Sequence, residues 1–143
     1  MVKRISILVF GFLLFSCSTS NKVVEKKPLY EVLATNNNGG ANIKFYEILT
    51  EPKEIMMLLG DESLRKKIKK DDTVKSNFLI LNSGPTKETY NRIKVEKVVE
   101  TEKEIIVYIK DTQKETEIDL SDENIIYPYT IIKINSKKPI VIK

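Results

Sequence analysis

Few residues in this chain could carry chemistry, and the absences are as informative as the presences. There is no histidine and one cysteine, Cys17. Ser-His-Asp triads, Cys-His pairs and His-ligated metals are therefore excluded together. So are disulfides and thiolate zinc sites. What remains is carboxylates, hydroxyls and lysines. Asp71 and Asp72 are adjacent, so their side chains point apart on a strand and do not face each other on a helix. A helix stop or a strand start is expected there. Asp119, Asp122 and Glu123 in "DLSDEN" offer hard oxygens, but an EF-hand would need a glycine at its sixth position and a glutamate at its twelfth. An Asx-type turn is expected instead. A Ser-Lys dyad would serve a hydrolase without histidine, and no motif marks one. The chain is read as a non-enzyme without cofactor or metal.

Cys17 itself has a position that explains it. Lys3 and Arg4 precede an apolar run from Ile5 to Phe15. That run is about half the roughly 20 residues of a membrane-spanning helix and has the length of a secretory signal core. "LLFSCSTS" comes next, with Leu14 and Ser16 before Cys17, and resembles a bacterial lipobox; Phe15 is bulkier than the usual residue at its place. Residues 1–16 are read as a lipoprotein signal peptide and Cys17 as the lipidated mature N-terminus. Cleavage at a small-x-small site and retention of the segment as an anchor are the alternatives. Loss of Lys3 and Arg4 lowers the formal charge from +4 to +2. Charges of both signs are interleaved and no basic stripe carries aromatics, so a nucleic-acid partner is not expected. "STSNKVVEKK" (residues 18–27) reads as a polar tether. The expected site is the bacterial cell envelope, at the outer membrane or cell surface.

A single globular domain is expected over residues 28–143. "LYEVLAT" and "NIKFYEILT" read as strands, and "NNNGG" between them as the loop of a hairpin. A helical insertion is expected near residues 51–69. Thr50 is its cap, Pro52 lies in its first turn, and Ile55, Met56, Leu58 and Leu59 form its apolar face. Gly60 can break it and Asp61 can cap a second helical turn, giving one bent helix or two short ones. The basic run Arg65, Lys66, Lys67, Lys69, Lys70 reads as a solvated helix face. From Val74 the pattern is β. "SNFLILN" is apolar on both sides and hence central. "YNRIKVEKVV" alternates, with a bulge or strand end suggested at Val98 and Val99, and "IIVYIK" returns after a turn at 100–104. In "IIYPYTIIKIN", Pro128 places the strand's start at an edge or bulge, and "KKPIVIK" adds a short terminal strand. The fold class is α+β, mainly antiparallel β: one sheet with the helix packed on it, a small sandwich, or an open barrel.

Two further stretches are candidates for recognition. Gly84, Pro85, Thr86 and Tyr90 lie in a loop between strands, where a plain turn competes with a binding role. Tyr127 and Tyr129 flank Pro128 and read either as core or as an exposed aromatic patch.

At "YPYTIIKINSKKPIVIK" the chain resembles the end of the PrcB C-terminal family of bacterial exported proteins. Pro128, Tyr129, Ile131, Ile132 and Ile134 hold the places of its Pro-Tyr pair and alternating strand. "FLILNSGPTKETYNRIKVEKV" has the family's strand, Gly84-Pro85-Thr86 and Tyr90, with Lys87-Glu88-Thr89 where members carry a Gly-Gly pair. The resemblance implies a lipid-anchored envelope protein that partners another protein, in the founding case a surface subtilisin-like protease. The Gly-Pro-Thr loop also resembles the cleft-entering loop of chagasin-type protease inhibitors, which is the alternative function.

Overall fold

A computed structural model describes residues 28–112 and 118–143. Cys17, the signal segment and the tether lie outside the described residues. The elements are β1 (Tyr30–Asn36), β2 (Lys44–Leu49), α1 (Pro52–Met57), a 3-10 turn (Leu58–Gly60), α2 (Glu62–Arg65), α3 (Asp72–Lys75), β3 (Asn77–Ser83), β4 (Ile93–Glu100), β5 (Ile105–Asp111), β6 (Tyr129–Ile134) and β7 (Ile140–Ile142). They build a small α+β sandwich. A four-stranded sheet in the order β1-β6-β3-β2 packs on a three-stranded sheet in the order β4-β5-β7. The single-sheet and barrel alternatives are set aside.

The larger sheet is covered on both faces, which explains its near-continuous apolar strands. On one face Leu33, Leu49, Phe78 and Ile131 pack against Ile55, Leu64 and Ile68 of the helical segment. On the other Leu79, Leu81, Ile132 and Ile134 meet Ile93, Ile105 and Val107 of the smaller sheet. Each fully buried side chain of this size contributes about 1.5–3 kcal/mol. β3 is central, as its composition predicts, and is buried along nearly its whole length.

Several expectations are corrected. The first two strands form no hairpin. β1 pairs antiparallel with β6 and β2 with β3, at opposite edges of the sheet. The helical insertion breaks at Gly60, as expected, into short pieces. Its cap is Glu51, not Thr50, because the Glu54 carboxylate accepts from the Thr50 and Glu51 amides at 3.2 and 3.1 Å. Asp61 caps α2 by accepting from Ser63 N at 2.7 Å. Val74 is helical, since Asp71 and Asp72 start α3 where a helix stop or strand start was expected. The β4 bulge falls between Val95 and Lys97, while Val98 and Val99 pair regularly with Val107 and Ile106. Pro128 precedes a central strand. It stands just before the ladder, and its carbonyl accepts from Ser83 N at 2.9 Å. The terminal strand β7 exists but runs parallel to β5.

Candidate functional site

The strands share one axis, so the loops sort into two ends. The end formed by the C-terminus of β3 and the N-terminus of β6 gathers three stretches: 37–43, 84–92 and 118–128. The predicted recognition loop lies here.

Its geometry is set by buried polar groups. Gly84 has φ +72, and a Cβ there would stand 3.1 Å from Lys44 N, so glycine's freedom is required. The Ser83 hydroxyl accepts from Ile93 N at 2.9 Å, tying the loop's two ends together. Thr86 is only 3 % exposed. It exchanges backbone hydrogen bonds with Ile126, and its hydroxyl accepts from Glu88 N at 3.2 Å. Lys87 then reaches Asp122 at 2.5 Å. Asp119 and Asp122 form successive Asx turns, accepting from Ser121 N and Asn124 N, as the sequence predicts. The hydrogen-bonded Lys87 ammonium holds the Asp122 carboxyl below the ordinary aspartate range, and Ser121 does the same for Asp119.

The expected recognition residues therefore divide. Gly84 and Thr86 are buried and Pro85 half-buried, so they shape the loop. Tyr129 packs against the helix-side core, and its hydroxyl accepts from Asn36 Nδ2 at 2.6 Å. Tyr127 is half-buried, and its carbonyl accepts from Gly40 N at 2.9 Å. Tyr90 is 62 % exposed. Its phenol bonds to Glu88, which raises its pKa above the ordinary tyrosine value.

Tyr90 opens onto a feature the sequence does not announce. A groove of about 570 Å³ runs along the β1–β4 side of the sandwich. Tyr30, Val32 and Thr35 of β1 form one wall, and Thr130 and Ile132 the floor. Tyr90, Arg92, Lys94 and Val95 form the other wall. The Arg92 guanidinium is held by Asn37 Oδ1 at 2.6 Å and by the Thr89 carbonyl, which fixes its place at the groove's loop end. Val32 is 55 % exposed at the rim. The surface thus combines two aromatics, aliphatic walls and two cations. That suits an extended polypeptide with apolar and acidic side chains. β1 and β4 are both sheet edges, and each is bulged, at Leu33 and Glu96. Lys67 Nζ also donates to the Leu33 carbonyl. Both edges are thereby blunted for continuous strand addition.

The other pairings expected from carboxylates resolve as structural. Asp71 bonds Lys75 at 2.7 Å on the surface. Asp72 turns inward, 4 % exposed, to Lys133 at 3.5 Å, and Glu31 meets the same ammonium at 3.2 Å. Among the described residues no group of three or more Asp, Glu, His or Cys could hold a metal ion, and no helix is long and apolar enough to cross a membrane. No family model, curated protein or solved structure matches the chain.

Proposed function

We propose that this chain is a lipid-anchored envelope protein that binds another exported protein and catalyses nothing itself. The observation that carries the binding reading is the groove between β1 and β4, with Tyr90, Arg92 and Lys94 on one wall. It offers recognition chemistry: aromatic area, an ordered guanidinium and an ammonium. The lipobox-like "LLFSCSTS" supports the anchor. The PrcB-like pattern of residues 78–98 and 127–143 supports a secreted, subtilisin-like protease as the class of partner.

The inhibitor reading has less behind it. The residues that would enter a protease cleft are Pro85 and Thr86, and Thr86 is buried and paired with Ile126. The exposed part of the loop is Lys87–Tyr90, which borders the groove.

The test is in-cell crosslinking, then pull-down and mass spectrometry. The wild-type chain is expected to retain one exported protein, and the Y90A/K94E variant to lose it with an unchanged far-UV spectrum. Retention by a folded Y90A/K94E variant would move the contact off the groove. Recovery of no exported protein by the wild type would sink the binding reading.

A further inference from the structure

We infer that the end of the domain opposite the recognition loop docks on an anionic phospholipid surface through Lys69, Lys70 and Lys75. The inference rests on the lipid-anchor reading and adds an orientation to it. Its starting point is where the described domain begins. Pro28 is pinned by Asn135, whose Nδ2 donates to the Pro28 carbonyl at 2.7 Å, while Asn135 N donates to the Leu29 carbonyl at 2.8 Å. Asn135 also lines a cavity of about 490 Å³ whose other walls are Lys69, Lys70, Asp71, Asp72, Lys75 and Ser76. The chain therefore enters the domain beside its lysine cluster.

Between Cys17 and Pro28 lie residues 18–27, a length of chain that reaches about 35 Å at most. An anchor at Cys17 would keep Pro28 that close to the headgroups. Electrostatic attraction then acts within about 8 Å at physiological salt.

The charge balance at this place is cationic in effect. Lys69, Lys70, Lys75 and Lys133 outnumber Asp71, Asp72 and Glu31 by one charge; Asp72 is buried on Lys133 with Glu31 beside it, and Asp71 bonds Lys75. Lys69 and Lys70 are exposed and form no ion pair among the described residues. Arg65 and Lys66 belong to the same basic run in the sequence. On the smaller sheet the same end carries Glu102, Lys103 and Glu104 in the β4–β5 turn, one net negative charge, with Glu100 paired to Lys138 at 2.9 Å. The helical edge thus faces the lipid and the acidic turn tilts away. The distance to the recognition loop is the length of β3, about 20 Å, so docking this end holds the groove's loop-end mouth away from the bilayer.

The test uses the full chain, purified from membranes and reconstituted into phosphatidylcholine vesicles with and without phosphatidylglycerol. Lysine acetylation is read residue by residue, and intact mass reads acylation of Cys17 in the same sample. Each lysine near an anionic surface is worth about fivefold in partitioning. Lys69, Lys70 and Lys75 should become several-fold less reactive only with phosphatidylglycerol present, and recover in high salt. Lys94 and Lys110, near the opposite end, should not change. Equal reactivity with and without phosphatidylglycerol overturns the proposal, as does protection at Lys94 and Lys110, or protection seen in cells but not on these vesicles, which would hand the face to a protein. Protection without acyl mass sinks the anchor reading and keeps this surface; acyl mass without protection does the reverse.

Discussion

The two ends of this sandwich are held together by different forces. At the recognition-loop end the buried bonds are neutral, and the ion pairs Lys87–Asp122 and Lys44–Asp111 lie at the surface. Asn82, 2 % exposed, accepts from Ala41 N at 2.9 Å and donates to the Ala41 and Ile43 carbonyls. Gly40 leaves no room beside it: a Cβ would stand 2.4 Å from Asn82 Oδ1 and 2.7 Å from the Tyr127 carbonyl. At the Pro28 end the bonds are ionic, with Lys133, Asp72 and Glu31 at their centre. Neutral networks fix loop shape at little cost in desolvation, whereas a buried ion pair contributes little net stability yet is costly to break. The buried polar groups of one end thereby hold without charge, and those of the other depend on it.

The largest expected effect breaks the ionic end. D72A leaves Lys133 buried with only half-exposed Glu31 for a partner, and should cost about 3–5 kcal/mol by urea unfolding. The double variant D72A/K133M should recover most of that loss; failure to recover would show that Asp72 acts through its bond to Lys69 N at 2.9 Å instead. At the neutral end N82A removes three hydrogen bonds and should cost about 2–3 kcal/mol, with no rescue by any charge change. G84A forces a side chain into positive φ and should cost about 1–2 kcal/mol, again by urea unfolding.

The smallest effect is a pH response at the loop end. Asp119 and Asp122 have folded pKa values below the ordinary one, so their stabilisation is present above that value and fades as pH falls through the lowered ones. Acidification should therefore raise amide exchange at Ser121 and Asn124 before it does so in β3. Tyr90 has the opposite sign: its pKa is raised, so its bond to Glu88 persists below the ordinary tyrosine value and is lost as pH rises through the raised one. Simultaneous release of β3 and the 119–124 turn in acid would contradict a separate loop-end response.

The strands of this fold are legible in its residues, and the pairing is not. "FLILN" announces a doubly covered strand because both its faces are apolar. The alternation in β5 puts Ile105 and Val107 on one face, and both are buried. The 36–40 loop misleads: its glycines serve close packing against Tyr127 and Asn82 as well as a turn, so β1 and β2 separate to opposite edges. Lys133 interrupts "TIIKIN" as a solvent-facing residue would, and its partner Asp72 lies far away in sequence. The Asx turns are local and are predicted in full. The groove is not legible at all, since its walls come from two sheets whose facing is decided only by the packed cores.

The strand order has one more consequence, for how the chain is made. β1 completes its ladder only with β6, Tyr30 opposite Ile134, and the smaller sheet gains β7 only from the last few residues. Contacts this distant in sequence make folding slow. The earliest strand has no partner until almost all of the polypeptide has been synthesised, and the two sheets are stitched by the tail that emerges last. The ladders of β2 with β3 and of β4 with β5 can close before then, so the two halves of the sandwich form first and β1 joins last.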